Sequence, residues 1–146
     1  MNETGRCADA DADAAVQAAA DALVAAFAQN RVGDYFAAFA PEATFLFHTT
    51  PGRLGSAAEY RELWRRWVDR DGFQVLGCTS SDPLVQVLGH TAVFTHQVET
   101  QISTRTGTQA LRESETIVFS RQDDGRWLAV HEHLSPAAEN STGGSP

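Results

Sequence analysis

Histidines and glutamates recur in this chain at positions that suit proton transfer. His131, Glu132 and His133 are consecutive, Glu113 and Glu115 alternate with serine, and His48 and His96 stand among residues of strand character. An ordinary histidine, with a pKa near ~6.5, exchanges a proton at neutral pH. A carboxyl drawn out of water is pushed up toward the same range, so these are the groups of general acid/base catalysis. His48, His96 and Glu115 are the candidate catalytic residues. His48 falls at a strand end ahead of Pro51-Gly52, and His96 alternates with the apolar Phe94 and Val98. Glu115 shares a strand face with Glu113, Ile117 and Phe119, which draws it toward the interior. The competing readings are structural: a hydrogen-bonded histidine at a strand end, a buried neutral histidine, and a cross-strand salt bridge between these glutamates and Arg105 or Arg112.

The His-Glu-His run has two solutions. On a strand the histidines point one way, about 6.5 Å apart, and Glu132 the other. Leu128, Val130 and Leu134 share the parity of Glu132, which favours that glutamate inward. Trp127 and Ala129 share the parity of the histidines, so the inward face stays open. With a third ligand such as His96, His131 and His133 would form a metal fork; the reading adopted is no metal and no cofactor. Tyr60, Trp64, Trp67, Phe94, Phe119 and Glu132 are the expected substrate-binding wall, aromatics at core spacing that would also offer flat faces to an apolar ligand.

Composition narrows the partners. The 146 residues suit one domain, and 19 acidic against 11 basic residues give a net charge of -8. All the basic residues are arginine; the absence of lysine removes Schiff-base and P-loop chemistry, and the acidity argues against nucleic acid and anionic membranes. No Gly-rich phosphate loop is present. Cys7 and Cys78 are too few for a disulfide framework, there is no basic leader and no apolar run near ~18 residues, so a cytoplasmic protein is expected.

The elements that must position these groups follow from periodicity. Val16, Ala20, Leu23 and Phe27 predict a helix over Asp13–Gln29, and Gly33-Asp34 opens a short helix ending before Pro41. Thr44–Thr50 reads as a strand. Ser56 and Glu59 form a capping box leading into Tyr60, Leu63, Trp64, Trp67 and Val68 at helical spacing. Strands then follow over Phe73–Thr79, Leu84–Leu88, Thr91–Ser103, Leu111–Arg121 and Trp127–Ser135. Helices first and adjacent strands after them predict an α+β fold, a curved and mostly antiparallel sheet with helices across one face. Residues 1–10 and 137–146 are expected to be a disordered leader and tail around a single domain at 11–136.

The final run Arg112–Phe119, the Asp124-Gly125-Arg126-Trp127 turn and the His-x-His-x-Ser ending at Ser135 resemble the closing hairpin of the nuclear transport factor 2-like superfamily, in its SnoaL-like branch. The chain is also similar to the hub domain of calcium/calmodulin-dependent kinase II and to ketosteroid isomerase-like proteins, over nearly its whole length. The resemblance implies a cone-shaped barrel in which a bent sheet wraps a hydrophobic pocket roofed by helices, and homodimers or larger rings formed through the sheet's outer face. The positions that carry the hub's carboxylate-binding arginines fall on Ile117 and Leu134. Two functions are compatible with this: a cofactor-independent acid/base enzyme (isomerase, dehydratase, cyclase or hydrolase type) on a mostly apolar small molecule, or a non-catalytic ligand-binding or oligomerisation module.

Overall fold

The computed structural model describes residues 3–138, with side chains from residue 10 onward. The first helix, α1 (Glu3–Ala28), begins well ahead of the expected Asp13 and takes in most of the leader; the tail from residue 139 on lies outside the described residues. Its buried stripe is Val16, Ala20, Leu23 and Ala26, at the spacing of one helix face. The helix ends on Asn30 in the left-handed region (φ 55°), with the Arg31 N–H bonded to the Ala26 carbonyl, the geometry that satisfies a helix's last carbonyls. The Asn30 side chain then bonds both polar groups of Val75: its amide donates to the Val75 carbonyl at 2.6 Å and its carbonyl accepts the Val75 N–H at 3.0 Å.

Helix α2 (Val32–Ala37) is shorter than expected and starts before Gly33, with Arg31 bonded to Asp34 at 2.7 Å. Strand β1 (Phe39–Phe47) begins before Pro41, which sits in an irregular stretch of the β1/β6 pairing where a missing N–H breaks no regular ladder. After the short β2 (Arg53–Leu54), the Ser56 hydroxyl accepts the Glu59 N–H at 3.1 Å and starts α3 (Ala57–Arg66), as the capping box requires. The last turn is π-helical, Trp67–Asp71, ending on Gly72 at φ 65°. Arg105 donates to the carbonyls of Asp69 and Arg70 there, so it satisfies a helix end instead of bridging the strand glutamates.

Strands β3 (Gln74–Leu88), β4 (Thr91–Thr104), β5 (Gly107–Arg121) and β6 (Trp127–Pro136) complete a six-stranded sheet of order β2-β1-β6-β5-β4-β3. Only the β1/β6 pair is parallel. The Ser-Ser-Asp-Pro stretch does not divide two strands as expected. It is a bulge in one long β3, between Ser81 and Leu84, with Asp82 at φ 52°. A second irregularity decides the face of the last strand. Val118 pairs with His131 but Phe119 pairs with Ala129, leaving Val130 as an extra residue. The bulge reverses the alternation, so Trp127 and Ala129 face inward together with Glu132, and all three are buried.

The helices cover the concave face, α1 against β3 and α3 against β1. Phe45, Phe94, Ile117 and Phe119 are each at most 1% exposed and make the densest part of the core. Side chains of this size are worth about 1.5–3 kcal/mol each when fully buried. The structure is thus an α+β cone with N-terminal helices and an open, curved, mixed sheet. Among the described residues no helix is long and apolar enough to cross a membrane.

Candidate acid/base site

The core does not fill the cone. Between α1, α2, α3 and the ends of β3, β4 and β5 that lie beyond Phe94 and Ile117 is a cavity of about 300 Å³. Phe27, Tyr35, Tyr60, Trp67 and Phe73 give it aromatic walls, and Glu113, Glu115 and Glu132 give it carboxyls. Sheet register brings these together. Glu115 stands opposite His96 across the β4/β5 ladder, and Glu132 stands opposite Ile117, beside Glu115, across β5/β6. Glu113 is two residues nearer the mouth, about 6.5 Å along the strand.

At the floor, Nε2 of His96 and Oε1 of Glu115 are 2.6 Å apart, and the other ring nitrogen is 2.6 Å from the Ser80 hydroxyl. The separation suits a salt bridge, but the surroundings oppose one: the His96 side chain has no exposure and that of Glu115 only 8%. Burial lowers the His96 pKa from 6.5 to about 4, and burial likewise raises Glu115 to about 7, with the neighbouring Glu113 charge adding to the rise. At neutral pH the imidazole is therefore uncharged. The Glu132 carboxyl is likewise pushed well above its ordinary range, first by burial and then by the neighbouring Glu115. The Tyr35 hydroxyl donates to Oε1 of Glu132 at a long 3.5 Å and lies 3.0 Å from the Tyr60 hydroxyl. Burial holds both phenols well above their usual pKa, so they remain donors.

A second histidine–glutamate pair lies at the rim. His48 Nε2 is 2.6 Å from Oε2 of Glu113, with the His48 side chain 28% exposed and that of Glu113 7%. Both cavity glutamates of β5 are thus partnered by histidines and neither by arginine. Arg112 makes no ion pair among the described residues.

Of the residues singled out from sequence, Glu115, Glu132, Tyr60 and Trp67 line the cavity, His96 stands behind Glu115, and His48 reaches the site only through Glu113. Trp64, Phe94 and Phe119 are buried in the core and do not line the cavity. His131 and His133 take the opposite face from Glu132. Their rings are 6.4 Å apart, and His131 Nδ1 lies 2.8 Å from the Thr44 hydroxyl. Among the described residues no group of three histidine, cysteine or acidic side chains is placed to hold a metal ion. Sequence reasoning missed Tyr35 and Ser80. Tyr35 carried a signal, a tyrosine set beside Phe36 and Phe39 in the short helix region after Gly33-Asp34, whereas Ser80 meets His96 only because of the β3/β4 pairing.

The SnoaL-like domain model matches residues 16–139. No curated protein matches the chain in sequence. Among solved structures, a nuclear transport factor 2-like superfamily protein from Salmonella enterica is similar at TM-score 0.75 and 16% identity, covering 94% of this chain and 99% of that one. A ketosteroid isomerase-like protein from Erwinia carotovora gives 0.72 and 16%, covering 86% and 96%. The CaMKII hub of S. rosetta gives 0.67 and 26%, also covering 86% and 96%.

Proposed function

The chain belongs to the SnoaL-like family, and from that premise we propose that it is a cofactor-independent acid/base enzyme acting on a small, mostly apolar molecule. The observation that carries this is the convergence of Glu115, Glu132 and the Tyr35 hydroxyl at the floor of an aromatic cavity, two buried carboxyls both raised above their ordinary range by burial. A carboxyl held up by burial serves as an acid and, once ionised, as a base. Glu115, poised near neutrality with His96 behind it, takes a proton from a carbon next to a carbonyl. Glu132 and Tyr35 donate hydrogen bonds to the oxygen on which the negative charge develops. The proton then returns at another carbon, which is an isomerisation, or a leaving group departs, which is an elimination. The aromatic walls exclude water and orient the apolar body. His48, half-open at the rim, joins the site through its contact with Glu113.

The test is hydrogen–deuterium exchange at carbon, followed by NMR in heavy water over a panel of apolar ketones. The protein accelerates exchange for at least one ketone, and Glu115→Gln lowers that rate by roughly 100-fold or more while remaining folded. A wild-type protein inert to the whole panel, or a fully active Glu115→Gln, refutes the proposal.

Self-association is a companion reading, supported by the similarity to a hub domain and by leucines on the outer face of β3. Leu76, Leu84 and Leu88 are 49%, 56% and 66% exposed. Sedimentation velocity reads this directly, and a monomer at every concentration removes it.

A further inference from the structure

The cavity has acids on its wall and no permanent cation. The sequence contains no lysine, and each arginine among the described side chains is exposed at the surface. The lining includes Glu113, Glu115 and Glu132 but no arginine or histidine. From α2, α3 and the turn after it, the titratable groups lining the cavity are Tyr35, Tyr60 and Asp71, and on α1 the exposed Asp21 acts on His96 by its charge alone; none of these ever carries positive charge. From β3 comes the Cys78 thiol, and from β4 His96, which burial keeps neutral. His48 is engaged with Glu113 at the rim. Glu132, only 2% exposed, receives a single long hydroxyl contact from Tyr35 among the described residues and otherwise faces Glu115 and the open cavity.

Buried charge persists only when paired, so with no cation in its wall the carboxyl row is held toward its uncharged form, and a ligand that brings a positive charge is the one that favours its ionisation. The aromatic rings Tyr60, Trp67 and Phe73 favour the same partner, because their faces attract cations. The net charge of -8 raises the local concentration of cations and repels anions.

We infer that the ligand of this cavity is a small organic amine, bound as its ammonium ion beside the carboxyl row with its apolar body against Trp67, Phe73 and Leu111. This rests on the proposed reading of the cavity as a ligand site and specifies the substrate class. It also couples binding to chemistry. An ammonium stabilises the ionised form of its neighbours, so its arrival drives a proton off the floor pair and leaves Glu115 as the carboxylate needed for a base. A neutral ligand of equal shape brings no charge to favour that ionisation, so less of Glu115 is the base form beside it, and a carboxylate finds no cation in the wall.

The probes are benzylamine, benzyl alcohol and benzoate, nearly isosteric and differing in charge, titrated calorimetrically near neutral pH in two buffers of different ionisation enthalpy. The amine binds at least about tenfold more tightly than the alcohol, benzoate binds more weakly than either, and only the amine releases protons to the buffer. Glu132→Gln and Glu113→Gln, each shown to be folded by its circular dichroism melt, shrink the amine's advantage without weakening the alcohol. If the alcohol or benzoate equals the amine, or amine binding releases no proton, the amine assignment is overturned while the pocket stands. If none of the three binds, the pocket reading falls with it.

Discussion

The two histidine–glutamate pairs share a donor–acceptor separation, 2.6 Å at the floor and 2.6 Å at the rim, and differ in what surrounds them. His96 has no exposed side-chain surface, whereas His48 keeps 28% of its own. At the floor burial is the largest influence on both partners and drives them the same way, toward the uncharged forms. Contact distance alone would have made the floor an ion pair. The lesson is that in a cavity wall desolvation can outweigh an opposite charge at hydrogen-bond range, because the cost of burying two ions exceeds their attraction unless other groups solvate them.

The contrast is broken most forcefully by His96→Ala. It opens a void in the core and strips hydrogen bonds from Glu115 and Ser80 at once, with an expected loss of about 2–4 kcal/mol in urea unfolding. A loss no larger than that of a surface substitution would show that the floor is already wet.

Next in size is the pH response of stability. His96, lowered from 6.5 to about 4, binds fewer protons folded than unfolded between those values, so its contribution grows as pH rises through that window. Glu115, raised from 4.5 to about 7, binds more protons folded than unfolded, so its contribution is complete below 4.5 and is lost as pH climbs to about 7. The two slopes oppose each other over most of their range and flatten the wild-type curve. Glu115→Gln removes the falling one. Unfolding free energies of that variant should therefore climb by about 1–3 kcal/mol between acid and neutral pH relative to wild type. A profile that falls relative to wild type as pH rises would mean that the pair is an ion pair after all.

The smallest effect is expected of His48→Ala. It removes a half-open contact and should cost below about 1 kcal/mol, leaving the melting temperature nearly unchanged while impairing turnover or ligand binding. A large stability loss with retained function would make the rim pair the structural one and reverse the comparison.

Much of the frame was legible because it rests on local rules. Ser56 and Glu59 marked the start of α3, the Val16, Ala20 and Leu23 spacing marked the buried stripe of α1, and Phe94, His96 and Val98 were correctly placed on one inward face. The site was less legible because it depends on register. No rule of periodicity reveals that Val130 is a bulged residue, yet that one insertion turns Trp127 and Ala129 to the side of Glu132 and settles an alternation that read both ways. The break at Asp82-Pro83 misled for the same reason: proline and a turn-forming acid end a strand in most settings, and here they bulge one whose pairing resumes at Leu84. The choice between arginine and histidine as partners for Glu113 and Glu115 was also a question of register, since His96 lies directly opposite Glu115 while Arg105 is held at a helix end.

The Asn30 amide has a consequence beyond fixing the end of α1. β3 is the last strand of the sheet, and one of its ladder positions, Val75, already has its outward N–H and carbonyl taken by that side chain. Together with the kink at Asp82, this leaves no long straight run of free backbone for another chain to zip onto. This edge is thereby a poor template for a second copy, since a strand added there would have to displace the Asn30 amide and follow the kink.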